Sequence, residues 1–230
     1  MVRLYLFAEG RTEQTFADTV LKPHLARFEV YLHPPVLVAH ARKKGTVRRG
    51  GGRKYLPMRN DILRFLKQEK GADVFFTTMI DLYAIHADFP GLAEAEKLRQ
   101  MPHKRVEAIE EAFATDICDV RFVLYIQLHE FEACLFSDPT CFEYFYDHHG
   151  KQIAALQAIA GRHKTPKEID DRPQQAPSRR IIDKFPDYEG AKPVVGPQVA
   201  ELIGISAIRD RCPHFTAWLA RLESLGISSG

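Results

Sequence analysis

A chain of 230 residues with 45% hydrophobic content is long enough to bury the core of one large α/β domain and too apolar to be disordered. With 32 Lys and Arg against 30 Asp and Glu the formal charge is +2, so only the distribution of charge carries information about partners. No apolar run exceeds strand length, the N-terminus opens on a strand pattern rather than a signal peptide, and the four cysteines form no CxxC pair. We therefore expect a cytoplasmic protein without membrane span, zinc site or disulfide framework.

Residues 2–8 read as a strand, and Glu9-Gly10-Arg11-Thr12-Glu13 turns into a helix with Phe16, Val20 and Leu21 at helical spacing, ending near Pro23. Val36 to Ala39 predicts a short strand. It leads into Arg42 to Lys54, where Arg42, Lys43, Lys44, Arg48, Arg49, Arg53 and Lys54 occur without one acid and Gly45 and Gly50 to Gly52 predict a flexible loop. A helix is expected from Arg59 through Ile62, Leu63, Phe65 and Leu66, and then Asp73 to Ile80 has the continuous apolar character of a strand buried on both faces. Residues 92–114 read as helix with a break near Pro102, and Arg121 to Leu128 as another buried strand. This alternation predicts a mainly parallel sheet with helices on both faces.

From about Glu143 the pattern changes. Ile153, Leu156 and Ile159 continue a helix, a polar, proline-containing stretch runs from Lys164 to Pro193, and Phe215, Trp218, Leu219 and Leu222 mark a closing helix. We expect an α/β core over residues 1–145 and a C-terminal helical extension over 146–230, packed on the core because about eighty residues alone make a thin core.

Acids fall where three of these strands end: Glu9 after the first, Asp81 after the second buried run, and Glu130 with Glu132 after the last. Ligands of α/β sheets bind outside the carboxyl ends of the strands, and carboxylates gathered there suit a divalent cation, Mg²⁺ or Mn²⁺, and metal-assisted phosphate chemistry. Glu9, Asp81 and Glu130 are the expected ligands, with Glu13, Asp88 and Glu132 as further ligands and His129 orienting a carboxylate or assisting proton transfer. Each has an ordinary alternative: Glu9 and Glu13 as helix-dipole caps, Asp81 as a turn cap, Asp88 in an Asx turn before Pro90, His129 to Glu132 as a solvated helix start on which His129 and Glu132 share a face. The segment His129-Glu130-Phe131-Glu132-Ala133 lacks the second His of HExxH, which excludes a zincin. Arg11, Arg48, Arg49, Arg53, Lys54, Ser178, Arg179 and Arg180 are candidates to meet phosphates of a nucleic acid, the alternative for the basic run being solvated charge.

Five ordered motifs carry a family resemblance: Glu9 to Glu13; Asp81 through Asp88-Phe89-Pro90-Gly91; His129 through Ser137-Asp138; Pro177-Ser178-Arg179-Arg180-Ile181; and Ile208-Arg209 through Cys212-Pro213-His214-Phe215 to Trp218-Leu219. Together they resemble the prokaryotic domain of unknown function 4276, a family similar to Toprim domains, the metal-binding α/β fold of topoisomerases, primases and overcoming-lysogenization-defect nucleases. The resemblance implies Toprim-like, Mg²⁺- or Mn²⁺-dependent phosphodiester hydrolysis of DNA ahead of RNA, with Glu9 as the Toprim glutamate and Asp81 as the first aspartate. It also implies a link to an ATPase and to defence against mobile elements. Tyr83 stands where a second aspartate is expected. Either Asp88 or Glu130 and Glu132 supply that ligand, or the chain is a catalytically inactive module that binds nucleic acid or a partner ATPase.

Overall fold

The structure is a computed structural model describing residues 1–43, 46–49, 54–166 and 175–227. It opens with β1 (Val2–Ala8), followed by α1 (Arg11–Phe16), a π turn over Ala17–Leu21 and α2 (Lys22–Ala26), which join without interruption. The helix therefore does not end near Pro23. Pro23 lies inside this continuous helix, directly after the widened π turn over Ala17–Leu21, where the hydrogen-bond register changes and the loss of one N–H is accommodated.

Next come β2 (Val30–Leu32) and β3 (Val36–Leu37), then β4 (Ala39–Lys43) and β5 (Thr46–Arg49), which pair antiparallel as a separate hairpin. The basic stretch is thus a hairpin over these residues, where the sequence predicts a loop. The signal passed over is Lys44-Gly45, two residues with glycine second between runs able to form strands. Residues 50–53, and with them Arg53, lie outside the described residues, and the side chains of Arg48 and Arg49 are likewise outside the description.

The chain continues through α3 (Tyr55–Gln68), β6 (Val74–Asp81), α4 (Leu92–Ala95), α5 (Pro102–Ile117), β7 (Phe122–Val123) and β8 (Ile126–Gln127). In place of one strand over Arg121 to Leu128 there are two short ones, β7 and β8. Both pair with β6, and three residues advance on each side between Thr77↔Val123 and Ile80↔Ile126, so the register does not slip. The interruption has a side-chain cause. Thr78 Oγ1 donates to the Tyr125 carbonyl at 2.8 Å and accepts from its N–H at 3.1 Å, so a hydroxyl takes over the bonds a ladder would make.

Two 3₁₀ segments, Phe131–Ser137 and Pro139–Tyr144, lead to α6 (Gly150–Ala160), α7 (Pro177–Ile182), α8 (Tyr188–Arg211) and α9 (Pro213–Ile227). Pro193 lies inside α8, together with Pro197, so the proline-containing stretch does not stay irregular to its end; the break in α8 comes instead at Gly204, with φ 81° and ψ 148°. Among the described residues no helix is long and apolar enough to cross a membrane.

The main sheet is parallel throughout, in the order β2-β1-β6-β7, with β3 beside the carboxyl end of β1 and β8 beside that of β6. Side-chain alternation divides its two faces. Leu4, Leu6 and Ala8 pack with Phe16, Leu21, Val199, Trp218 and Leu222, whereas Phe7, Phe76 and Ile80 pack with Ile62, Ile109 and Phe113. Helices therefore cover both faces, as the sequence predicts. The first core also takes in Ile153, Leu156 and Ile181, so the C-terminal helices share the apolar interior of β1.

From β1 the chain moves to β2 on one side, and from β6 it moves to β7 on the other. The carboxyl ends of β1 and β6 consequently flank a topological switch point, where connections diverge and leave a crevice. Glu9 and Asp81 sit on its two lips.

Candidate active site at the carboxyl edge of the sheet

Glu9 follows β1 directly. Its N–H donates to the Met79 carbonyl at 3.0 Å, and its carboxylate Oε2 accepts the Asp81 N–H at 2.8 Å, which clamps the ends of the two central strands. Gly10 then caps α1 in an extended conformation. Glu13, three residues on, folds back so that its Oε2 accepts the Gly10 N–H at 2.8 Å, the carboxylate half of a capping box. Glu13 is buried all the same.

Asp81 retains some surface as a residue, but its Oδ1 is shut off from solvent and has no hydrogen-bond partner among the described residues. Burial, followed by the charges of Glu13, Glu9, Glu132 and Glu130, pushes its carboxyl well above the ordinary range. Burial is also the first cause at Glu132. Burial raises it to about 7; Lys192 opposes the rise, while Glu130 and Glu13 add to it. Glu13 is raised chiefly by burial, against the hydrogen bonds from its own and the Gly10 backbone. Five carboxylates from three strand ends thus share one electrostatic neighbourhood.

Glu130 ends differently from the sequence expectation. Its carboxylate accepts the Ser178 N–H at 2.8 Å and the Ser178 hydroxyl at 3.2 Å, so it caps the first turn of α7. Ser178, expected to meet phosphate, is committed to Glu130. The segment from His129 does not become a regular helix either. His129 has a left-handed φ of 71°, Glu130 is extended, and the 3₁₀ turn begins only at Phe131, so His129 and Glu132 do not share a helical face. Phe131 and Leu135 pack inward as expected. The buried side chain of His129 lines a cavity with Leu82, Tyr83 and Arg105.

Asp88 is engaged elsewhere: both carboxylate oxygens accept the Tyr55 N–H at the start of α3, at 3.2 and 3.3 Å, and Oδ1 lies 2.9 Å from His86 Nδ1. Burial works against ionisation, yet these bonds hold its carboxyl below the usual range. Of the basic candidates, Arg11 is exposed at the start of α1, Arg179 pairs with Asp183 at 3.1 Å, Arg180 donates to the Gln175 carbonyl at 2.8 Å, and Lys54 is exposed just before α3.

Two residues of α8 complete the neighbourhood and have no counterpart in the sequence reading. Lys192 Nζ lies 3.7 Å from Glu132 Oε1. Tyr188, fully buried, holds its hydroxyl without a hydrogen-bond partner among the described residues, and burial followed by the charges of Glu132, Tyr146, Glu130 and Glu13 pushes it well above its ordinary range. Gly196 makes room for it: a Cβ there would stand 2.8 Å from the Tyr188 hydroxyl. Tyr188, Lys192 and Gly196 recur every four residues, a stripe that periodicity could have disclosed once α8 was recognised as a helix.

The donor set is all oxygen, which suits a hard divalent cation, and the unpartnered Asp81 Oδ1 among four further carboxylates is the kind of oxygen a cation satisfies. As placed, however, no three His, Cys, Asp or Glu side chains among the described residues stand together closely enough to hold a metal ion. Glu9, Glu13 and Glu130 are instead spent on backbone N–H groups.

No curated protein matches the chain. Among solved structures it is similar to the C-terminal region of the Burkholderia pseudomallei OLD protein, at 15% identity and a TM-score of 0.46 over 98% of this chain and 99% of that one. The family described as Domain of unknown function (DUF4276) matches residues 8–223, from the last residue of β1 into α9, and the chain belongs to that family.

Proposed function

We propose that the protein hydrolyses phosphodiester bonds of nucleic acid, DNA ahead of RNA, with Mg²⁺ or Mn²⁺ at the carboxyl edge of the sheet. The observation that carries this reading is the Asp81 carboxylate at the switch point, with one oxygen unpartnered and four acids around it. Nothing in core packing calls for such a concentration of negative charge, and its desolvation is costly without a cation. Asp81, Glu9, Glu13, Glu130 and Glu132 are the residues that would hold the ion. When bound, it would supply a lowered pKa for an attacking water and charge neutralisation at the phosphate.

The chain's own groups divide the remaining work. Glu9 fixes the distance between β1 and β6 through the Asp81 N–H. Glu132, whose carboxyl burial raises to about 7, would give up that proton on taking up the ion, which couples metal binding to pH near neutrality. Lys192 offers a positive charge beside it for a phosphate oxygen. The Toprim resemblance supports the same assignment of Glu9 and Asp81, and the links to an ATPase partner and to defence rest on that resemblance alone.

A second reading, a module that binds nucleic acid or an ATPase without cutting, is favoured by one observation, that Glu130 is tied to Ser178, and by the resemblance, in which Tyr83 stands where a second aspartate is expected. Thermal unfolding with Mn²⁺ and cleavage assays separate the two. The nuclease reading expects Mn²⁺ to raise the melting temperature by mass action and labelled single or double strands to be cut. Metal binding without cleavage of any substrate, with or without an ATPase partner, favours the binding module; no metal response at all ends the nuclease reading.

A further inference from the structure

Away from the carboxylates, α2 and the C-terminal part of α8 enclose a cavity of about 690 Å³. That volume falls within the roughly 300–1,000 Å³ of sites for small organic ligands. Pro23, His24 and Arg27 line it from α2 and its C-terminal end, and Gly204, Ile205 and Arg209 line it from α8. Glu13 and His24 stand on one uninterrupted helical run, which at 1.5 Å per residue puts their backbones roughly 16 Å apart. The cavity is therefore a separate place on the molecule from the candidate metal site.

Among the described residues no acid lines this cavity. The carboxylate that touches its lining is that of Glu223 on α9, a buried residue whose Oε1 lies 2.7 Å from His24 Nε2 and accepts from Arg209 Nη1 at 2.6 Å. One carboxylate is thus set against two guanidinium groups and an imidazole. Arg209 commits only Nη1 to Glu223, and the exposed guanidinium of Arg27 makes no hydrogen bond or ion pair among the described residues.

Glu223 has an ordinary structural role, since it ties α2 and α8 to α9. That role explains neither Arg27 nor the break in α8. Gly204 holds φ 81° and ψ 148°, a conformation essentially closed to residues with a Cβ, yet a Cβ there would meet nothing within 4 Å. The glycine therefore answers to backbone conformation and not to close packing. Breaks of this kind cluster at ligand clamps, and this one falls in the wall of a cavity rich in cations.

We infer that the cavity binds a phosphorylated small molecule of nucleotide size, with its phosphate between Arg27 and Arg209 and its organic body against Pro23 and Ile205. One guanidinium fork satisfies a carboxylate, whereas two from different helices can meet a tetrahedral phosphate from two directions. The volume leaves room beyond the phosphate, and Pro23 and Ile205 offer that room an apolar surface. A protein that cuts nothing could hold this ligand equally well.

The test is isothermal titration calorimetry of the full chain, without added metal, with adenosine 5′-monophosphate, adenosine and inorganic phosphate as probes. The monophosphate is expected to bind at least about tenfold more tightly than inorganic phosphate, and adenosine not to bind. Arg27→Ala should weaken monophosphate binding about tenfold, the scale of one lost charge-assisted hydrogen bond, with a melting temperature equal to wild type. Lys192→Ala, which alters the carboxylate neighbourhood, should bind the monophosphate as wild type does. Absence of monophosphate binding, equal affinity for inorganic phosphate or adenosine, or indifference to Arg27→Ala overturns the site. Loss of binding in Lys192→Ala but not in Arg27→Ala also overturns it, because the anion would then sit at the carboxylates.

Discussion

The backbone N–H of Asp81 donates to Glu9 Oε2 at 2.8 Å, so the carboxylate ending one central strand holds the residue that ends its neighbour. The bond leaves the Asp81 side chain among like charges with Oδ1 unpartnered. Asp81→Asn removes the charge and keeps the shape. In chelator the melting temperature of this variant is expected to rise above wild type, while its response to Mn²⁺ disappears. Cleavage should fall by about a hundredfold or more, the upper scale for perturbing a metal site. A variant that melts below wild type in chelator would show that Asp81 is a structural acid.

The raised carboxyl of Glu132 sets a direction for stability against pH. A group that binds its proton more tightly folded than unfolded contributes stability below its unfolded value, and that contribution is lost as pH rises through the folded value. For Glu132 the loss runs from about 4.5 to about 7, and the raised Glu13 and Asp81 act with the same sign. Each tenfold change in proton affinity is worth about 1.4 kcal/mol. Denaturant unfolding in chelator should therefore show lower stability at pH 8 than at pH 6, with Glu132→Gln flattening the difference. A flat wild-type profile would contradict the burial of this acid.

Binding of phosphates by the basic hairpin region would appear in salt dependence. Neutralising Arg48, Arg49, Arg53 and Lys54 together is expected to weaken nucleic-acid binding and to reduce the slope of log affinity against log salt, by about 0.9 for each duplex phosphate that the variant no longer neutralises. Metal affinity should stay the same. Identical salt series for wild type and the quadruple variant would mean that this charge is merely solvated.

Two glycines in helices test the packing directly. A Cβ at Gly226 in α9 would lie 1.8 Å from the Phe28 carbonyl oxygen, whereas one at Gly190 in α8 meets nothing within 4 Å. Gly226→Ala should cost about 3 kcal/mol or more, through forced separation of α9 from the end of α2. Gly190→Ala should stabilise by roughly 0.5–1 kcal/mol through helix propensity. Chemical denaturation measures both, and a neutral Gly226→Ala would mean that α9 does not pack there.

The sequence by itself determined the class of fold and the place along it where acids collect. Strand-length apolar runs such as Val74 to Ile80, rich in β-branched and aromatic residues, favour strands buried on both faces, and helical periodicity between them favours a parallel sheet. Acids that close such runs or follow them within a few residues are carried to the carboxyl edge of a parallel sheet. What each acid does there was decided by tertiary structure, because a carboxylate takes whichever partner the folded chain brings within 3 Å. Asp88 went to the Tyr55 N–H, Glu130 to Ser178, and Asp81 was left with Oδ1 unpartnered. Tyr188 and Lys192 lie more than fifty residues from Glu132 and join it only because α8 packs along α1 and the 3₁₀ turn that carries Glu132. The division of Arg121 to Leu128 into two strands likewise depends on Thr78, whose hydroxyl reaches Tyr125 only once the strands lie side by side. Hydrophobic pattern is local and survives in one dimension, whereas hydrogen-bond partnership depends on distances that exist only after folding.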